Sequence, residues 1–209
     1  MQNSSADSGW GLNHGAMCDT GQNIHRKTSI AMDFRRHTPN DSQAIVSLFK
    51  SVFTKSEGEA EGALVSQLAR DLLEQTDDHD MDCFIAVDDH QILGSIFFSR
   101  LVFEHPIEAF ILAPVAVHSD HQGQGIGQAL INYGLAELKN RGVKVVLTYG
   151  DPGFYHRVGF HSISHETIRA PFSLSQPDGW LGQSLSDDSI QPLSGQCACV
   201  EALRNPTYW

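Results

Sequence analysis

One stretch of the chain combines residue types and spacing that favour ligand chemistry: residues 112–127, with the sequence LAPVAVHSDHQGQGIG. An apolar, strand-like segment leads into three alternating glycines, after which apolar residues recur at helical spacing. Glycines let a backbone curl tightly and approach a ligand. The first N–H groups of a helix have no partner inside the helix, and the helix dipole adds partial positive charge there. The sequence therefore predicts a phosphate-binding loop at a strand–helix junction.

The loop departs from two familiar phosphate-binding motifs. A Walker A motif would continue with Gly-Lys-Ser or Gly-Lys-Thr, and this loop does not. A dinucleotide fingerprint that begins at Gly123 would need glycine or alanine in place of Gln128, and one that begins at Gly125 would need it in place of Leu130. These mismatches make ATP and NAD poorer candidates. A flexible turn without a ligand stays open as the simpler alternative.

The loop and two further segments resemble one known family. Residues 122–127 match the Gln/Arg-x-x-Gly-x-Gly/Ala signature of the GNAT superfamily of N-acetyltransferases, and residues 115–117 are similar to that family's fourth strand. Residues 150–160, GDPGFYHRVGF, resemble its Tyr-x-x-x-Gly-Phe segment. Their Gly-Asp-Pro start and the ending at residues 202–206 are similar to the YhbS-like branch. The resemblance extends from about residue 34 to the C-terminus.

The resemblance implies acetyl-CoA as a cosubstrate and no metal. In this family the fourth strand carries a bulge and diverges from the fifth, and Pro114 suits a bulge because it has no N–H to donate. The pantetheine amides would pair with the freed backbone groups of Val115 and Val117, and the loop N–H groups would hold the pyrophosphate. The implied cofactor-binding residues are Val115, Ala116, Val117, Gln122, Gly123, Gln124, Gly125, Ile126 and Gly127.

Tyr155 is the catalytic residue that the resemblance implies. It would donate a proton to the departing CoA thiolate, while a backbone N–H near Val115 polarises the acetyl carbonyl. A phenol has a pKa near 10, so it is protonated at neutral pH and suited to donating. The alternative is a core aromatic residue that packs beside Phe154 and Phe160.

The general base is left open between several side chains and water. Glu104 and Glu108 lie near the start of the fourth-strand region, where the alternative is a pair of hairpin surface charges. His118 and His121 flank the loop, and histidine is a common acid–base residue type, although loop polar contacts are the simpler interpretation. Glu61 resembles an acidic position of related sequences that faces the acceptor, with a solvated helix residue as the alternative.

The elements that must position these residues follow from apolar periodicity and turn signals. Three consecutive strands predict an antiparallel meander, and a helix between the last two strands predicts a parallel crossover. The expected fold class is α/β (α+β), with a mixed, mostly antiparallel sheet and helices on both faces, as in the GNAT fold. The predicted elements are strand 32–38, a helix that begins after residues 39–41, helix 62–74, strands 83–87, 91–103 and 110–117, helix 126–140 and strand 143–148.

Length and patterning predict one domain with an N-terminal extension. Residues 1–31 are rich in Ser, Gly, Asn, Asp and His without an apolar period, which predicts a disordered or extended tail. Met32 directly precedes the first patterned segment and is a candidate natural start. Residues 32–209 have the length of a single domain, here an N-acetyltransferase domain.

Composition and charge weigh against several other classes. The formal net charge is −11, from 14 Lys+Arg against 25 Asp+Glu, so the surface repels phosphate backbones and nucleic-acid binding is not expected. No apolar run approaches the roughly 20 residues of a membrane span, and no secretory signal is visible. The spacing of Cys18, Cys83, Cys197 and Cys199 fits free thiols better than a metal or redox module. A cytoplasmic protein is expected.

The favoured function is transfer of an acetyl group from acetyl-CoA to a primary amine of a small molecule or a protein. Two alternatives stay open: a non-catalytic acyl-CoA-binding sensor module, and an unrelated nucleotide-binding α/β protein. Tyr155 favours the enzyme over the module. The acceptor and the acyl-chain preference are not readable from the sequence, and a homodimer stays open because dimers are common in the family.

Overall fold

The computed structural model describes residues 32–186, 188–193, 195 and 197–209, so the predicted tail over residues 1–31 lies outside the described residues. The elements follow the predicted order β-α-α-β-β-β-α-β before a mixed C-terminal segment. The strands are β1 (Asp33–Arg36), β2 (Met81–Asp88), β3 (Gln91–Val102), β4 (Ala109–Val117), β5 (Val145–Tyr149), β6 (His161–Ser162), β7 (Trp180–Ser184) and β8 (Ala198–Cys199). The α-helices are α1 (Ser42–Glu57), α2 (Glu59–Gln75), α3 (Ile126–Asn140) and α4 (Pro152–Tyr155). Short 3-10 helices cover Pro39–Asp41, Ser119–His121, His156–Val158, Pro177–Gly179, Glu201–Leu203 and Pro206–Tyr208.

The strands form one mixed sheet in the order β1-β2-β3-β4-β5-β7-β6, and β8 pairs with β3. Strands β1 to β4 are antiparallel neighbours. Strands β4 and β5 are parallel, because helix α3 carries the chain back across the sheet between them. The predicted meander and the predicted parallel crossover are therefore both confirmed.

The hairpin between β2 and β3 has the turn that the sequence indicates at residues 88–90. Only Asp89 and His90 separate the two strands, and both have positive φ, 43° and 67°. Positive φ at both central residues is the requirement of a type I′ turn, whose twist matches that of the flanking strands. The β3–β4 pairing then places Gly94, near the start of β3, opposite Val117 at the end of β4.

Two apolar cores lie on the two faces of the sheet. One contains the stripe of α1 that the sequence predicts, represented by Ile45 and Phe49, together with Phe97 of β3. The other contains Leu130 of α3 and Phe98 of β3. Because neighbouring residues of β3 point to opposite faces, α1 and α3 lie on opposite sides of the sheet. The prediction of helices on both faces is confirmed.

The C-terminal segment completes both the sheet and one of its cores. Strand β7 pairs with β5 on one side and with β6 on the other. The Trp180 indole N–H donates to the Ile168 carbonyl, and the Trp209 indole N–H donates to the Leu203 carbonyl, each over 2.9 Å. These two bonds satisfy the polar edges of the buried tryptophans, so a segment with weak apolar patterning still packs firmly.

Helix α3 packs so closely on the sheet at Gly134 that a side chain there should destabilise the fold. A Cβ at this position would lie 2.5 Å from Phe98 Cε2 and 3.1 Å from Phe84 Cδ2. We expect Gly134→Val to lower the free energy of unfolding by about 3 kcal/mol through overpacking. The matched control is Asn132→Val, on the exposed side of the same helix, which should stay within about 0.5 kcal/mol of the unmodified protein. Urea denaturation measures both, and equal losses would contradict the close packing.

Candidate functional site

Strand β4 carries a bulge at Ala113 and Pro114. The register pairs Ile96 with Val115 and Phe98 with Leu112, so two steps along β3 face three steps along β4. The extra residue of β4 falls where Pro114 has no N–H to donate to the ladder. The predicted bulge is therefore confirmed.

Strand β4 diverges from β5 beyond this bulge. The β4–β5 pairing ends at Leu112 and Thr148, while β4 stays paired with β3 as far as Val117. The His118 N–H donates to the Leu93 carbonyl over 2.7 Å. Since hydrogen-bonded pairs alternate along an antiparallel ladder, this bond implies that Val115 and Val117 direct their backbone groups away from β3. These groups face the opening between β4 and β5.

One of these backbone groups has a partner that the sequence did not indicate. The Gln122 side-chain amide donates to the Val117 carbonyl over 3.1 Å. The expectation that both polar groups of Val117 are free is therefore wrong for its carbonyl. The bond ties the first residue of the glycine-rich loop to the end of β4, and the Val115 amide groups and the Val117 N–H remain directed into the opening.

The glycine-rich loop presents a row of backbone donors at the start of α3. Gly123 and Gly125 have φ of 74° and 82°, a region that glycine enters without strain. A Cβ on either residue would meet no atom within 4 Å, so open space lies beside the loop. No described residue accepts a hydrogen bond from the N–H groups of residues 122–128. Donors of this kind at a helix N-terminus are suited to an anion, as the sequence predicts for this loop.

Gly127 differs from the other two glycines in its role. A Cβ there would lie 3.2 Å from Val117 Cγ2 and 3.4 Å from Phe154 Cζ. The absence of a side chain therefore lets α3 approach the end of β4 and Phe154 of α4. Its N–H still belongs to the first turn of α3, among the donors without a partner in the described part of the chain.

Tyr155 lies at the end of α4, held close to the backbone that follows β5. Asp151 caps this short helix by accepting a hydrogen bond from the Gly153 N–H over 2.9 Å. A Cβ at Gly150 would lie 2.7 Å from Tyr155 Cε2, so only glycine leaves room for the ring. The ring also packs edge-on against Phe160, with centroids 5.7 Å apart. Tyr155 therefore packs as a core aromatic residue, and this packing fixes the position of its ring.

The Tyr155 phenol lies beside Thr148, where the β4–β5 pairing ends. Burial raises the pKa of Tyr155 above its ordinary value of 10; the nearby Thr148 side chain opposes this rise, and the charge of Asp151 adds to it. The phenol is therefore protonated throughout the neutral range. This protonation state is the one that the predicted role of Tyr155 as a proton donor requires.

The structure does not bring Glu104 or Glu108 to this opening. Glu108 pairs with Arg100 over 2.6 Å at the beginning of β4, seven residues before Val115. At the rise of a strand that separation is roughly 20 Å. Glu104 is exposed in the preceding loop, beside Gly195. The surface-charge interpretation describes both residues better than a role as general base.

Glu61 lies at the start of α2, near the end of α1, and α1 in turn contacts the segment just before the glycine-rich loop. It is close to Glu57 at the α1–α2 junction, where burial and then the charge of Glu61 raise the Glu57 pKa. Lys55, near the end of α1, contacts Asp120 of the loop over 3.2 Å. Both partners of this ion pair are exposed, so it contributes little stability but marks the proximity of α1 to the loop.

The two loop histidines make local contacts. Their rings are 5.5 Å apart and nearly perpendicular, and His118 Nδ1 accepts a hydrogen bond from the Asp120 N–H over 3.3 Å. This bond caps the 3-10 helix Ser119–His121. The geometry agrees with the interpretation of His118 and His121 as loop polar contacts.

Three further observations on the described residues concern metal binding, membrane-spanning helices and cysteines. In residues 32–186, 188–193, 195 and 197–209, no group of three or more His, Cys, Asp or Glu side chains is arranged to hold a metal ion. The same residues contain no helix that is long and apolar enough to cross a bilayer. Cys83, Cys197 and Cys199 are buried free thiols, while Cys18 lies outside the described part of the chain.

Comparison with known proteins gives one consistent family. The family model described as acetyltransferase (GNAT) domain matches residues 33–163, which include the loop and Tyr155. The uncharacterized N-acetyltransferase YhbS of Escherichia coli K12 is 30% identical over 166 residues, which cover 78% of this chain and 93% of the relative.

Two solved structures carry the same fold. The E. coli YhbS structure in complex with CoA superimposes with a TM-score of 0.73 at 26% identity, and covers 87% of this chain and 96% of that one. A GNAT family acetyltransferase from Brucella melitensis in complex with acetyl-CoA superimposes with a TM-score of 0.61 at 27% identity, and covers 83% of this chain and 98% of that one.

Proposed function

Because the chain belongs to the GNAT family of acetyltransferases, we propose that it is an N-acetyltransferase that carries an acetyl group from acetyl-CoA to a primary amine. The observation that carries this proposal is the opening between β4 and β5 with a row of free N–H donors at one end. A proton-donating phenol at the head of the opening supplies the catalytic group.

The described residues fit acetyl-CoA. The N–H groups of residues 122–127 suit a diphosphate, because they lie at a helix N-terminus beside open space and have no acceptor among the described residues. Val115 and Val117 offer backbone groups to the pantetheine amides in the manner of an added strand. Relatives with this fold have been solved with CoA and with acetyl-CoA, which supports the same cosubstrate here.

In the proposed chemistry Tyr155 is the general acid, and water is the first candidate for the base that deprotonates the amine. The protonated acceptor amine first loses a proton to water, and Glu61 is the remaining carboxylate candidate for taking that proton. The neutral nitrogen attacks the thioester carbonyl and releases a second proton to solvent as the amide forms, which balances the solvent proton that later restores Tyr155. The Val115 N–H polarises the carbonyl. Tyr155 gives its proton to the sulfur as the carbon–sulfur bond breaks.

We propose the acceptor, the compartment and the oligomeric state only as general classes. A net charge of −11 attracts a cationic amine, whether on a small molecule or on a protein. Buried free thiols favour the cytoplasm. Residues 32–209 are proposed to act as a single acetyltransferase domain, and a homodimer stays a prediction from the family.

A screen of primary amines that follows CoA thiol release tests the function. The panel includes polyamines, aminoglycosides, free amino acids and peptides with a free N-terminus or lysine. We expect at least one class to release CoA in proportion to acetylated product. CoA binding by calorimetry with no thiol release across the panel would instead support the non-catalytic sensor module. Thermal stabilisation by NAD or ATP but not by acetyl-CoA would contradict the proposed cosubstrate.

A further inference from the structure

The two faces of the opening between β4 and β5 have different surroundings. Helix α3 and Tyr155 belong to one face, where Val115 and Val117 also pack against the core. A cosubstrate held by these groups leaves the other face for the amine that attacks its carbonyl. On that other face, which α1 and α2 cover, the first side chains beyond the last β4–β5 pair are Ala113 and Tyr149.

The Tyr149 hydroxyl fastens a neighbouring segment of the chain at this point. It accepts a hydrogen bond from the Gln176 N–H over 2.7 Å, and it shares a second one with the Ser175 hydroxyl, also over 2.7 Å. A phenol has one proton and can also accept, so it makes both bonds at once. Residues 172–176, called the wall segment below, are thus fastened to the sheet through one tyrosine side chain at the end of β5.

The wall segment has few other polar contacts. It contains neither helix nor strand, and residues 172–175 make no backbone hydrogen bond with another described residue. Phe172 and Leu174 pack partly against the core, while Ser173 and Ser175 are exposed. Among the described residues, the Tyr149 hydroxyl is therefore the polar contact that ties this segment to the sheet.

The same end of β5 also holds the proposed acid. The Gly150 N–H donates to the Gly179 carbonyl over 3.0 Å, and a Cβ at Gly179 would lie 3.2 Å from Tyr149 Cε2. A Cβ at Gly150 would lie 2.7 Å from Tyr155 Cε2. The anchor of the wall segment and the phenol of Tyr155 are thus both packed against this short stretch of backbone.

We propose that Tyr149 is a positioning residue for the acceptor amine, and that through its hydroxyl it holds the wall segment as the β5-side boundary of the acceptor site. This inference rests on the acetyl transfer proposed above. Tyr149 takes no part in the chemistry. Without the anchor, binding of the acceptor includes the cost of ordering the wall segment, which weakens binding of the acceptor but not of acetyl-CoA on the opposite face.

A purely structural role is the alternative. In that case the hydroxyl only stabilises the fold, and its loss lowers the melting temperature without a selective effect on the acceptor. Both partners of the hydroxyl, Ser175 and Gln176, are exposed, so these bonds add little to the packing of the core. The two roles differ in which Michaelis constant changes, and steady-state kinetics separates them.

Kinetics with the acceptor found in the amine screen tests the proposal. We expect Tyr149→Phe to raise the KM for the acceptor about fivefold, the effect of losing a hydrogen bond of ordinary strength, with the KM for acetyl-CoA and the melting temperature unchanged. Ser175→Ala should raise the acceptor KM by a smaller factor, and by none in a Tyr149→Phe background, because the shared bond is already lost. The matched control is Tyr208→Phe, which removes a hydroxyl on the same face, beside Asp71 of α2, and should change neither KM.

Hydrogen exchange tests the anchor without any acceptor. The Gln176 amide donates to the Tyr149 hydroxyl, so in Tyr149→Phe it should exchange about five times faster than in the unmodified protein. Nuclear magnetic resonance measures this rate at the single amide. An unchanged rate would show that the hydroxyl does not hold the wall segment, which overturns the proposal.

The kinetic outcomes are equally distinct. If Tyr149→Phe leaves the acceptor KM unchanged, or raises the KM for acetyl-CoA by the same factor, Tyr149 does not position the acceptor and the proposal is wrong. Where Tyr149→Phe lowers the melting temperature, Ser175→Ala at its exposed position decides, and an unchanged acceptor KM in that variant overturns the proposal. If no amine releases CoA from the unmodified protein, the proposed function fails and the positioning role falls with it, even where hydrogen exchange confirms the anchor.

Discussion

Replacing Tyr155 with phenylalanine should lower kcat by a factor of about 100 or more, the usual contribution of a positioned general acid. The ring and its contacts with Phe160 and Gly150 are kept, so the KM for acetyl-CoA and the melting temperature should change little. The loss arises because the departing thiolate no longer receives a proton. Steady-state kinetics with varied acetyl-CoA and a fixed acceptor measures the two parameters separately.

The matched control is Tyr133→Phe. Tyr133 lies on α3 and stacks against Phe34 with centroids 5.9 Å apart, so it loses the same hydroxyl without touching the opening between β4 and β5. Its kcat should equal that of the unmodified protein. The raised pKa of Tyr155 also predicts no loss of kcat through its ionisation between about pH 6 and pH 9. An unchanged kcat in Tyr155→Phe would remove the residue from the mechanism.

Replacing Gly125 with glutamate should abolish useful binding of acetyl-CoA. The new side chain would extend into the open space beside the loop, from a residue with φ of 82°. It would place a carboxylate among the N–H donors at the start of α3, where the cosubstrate's diphosphate is proposed to lie. Like-charge contacts of this kind cost several kcal/mol, so the dissociation constant for CoA should rise by at least about 100-fold. Isothermal titration calorimetry with CoA measures it.

The other end of the same helix provides the control for this substitution. Gly142 follows α3 and has φ of 90°, and a Cβ on it would likewise meet no atom within 4 Å. Gly142→Glu therefore introduces the same charge and a similar backbone strain far from the loop. It should bind CoA as the unmodified protein does. Equal weakening in both variants would mean that strain or net charge, rather than the site, causes the loss.

Local signals in the sequence predict much of the fold. The bounds of α3 agree with the predicted helix 126–140, because glycines end the loop before it and Gly142 follows it. The β2–β3 hairpin follows from a polar turn at residues 88–90. The bulge of β4 follows from Pro114, whose missing N–H restricts where it can sit in a sheet.

The features that the sequence did not reveal depend on how separate elements pack against one another. The position of β7 between β5 and β6 depends on pairing across the sheet, and no local pattern records it. The ion pair with Arg100 holds Glu108 beside the beginning of β4, away from the opening between β4 and β5.

A crystal structure of this protein with CoA would show directly where the cosubstrate lies. We expect the diphosphate oxygens to accept hydrogen bonds from the N–H groups of residues 122–127, and the pantetheine to lie along Val115 in the opening between β4 and β5. We also expect the sulfur to lie within hydrogen-bond reach of the Tyr155 hydroxyl. CoA bound elsewhere, or bound here with its sulfur directed away from Tyr155, would rule out the proposed site or the proposed acid.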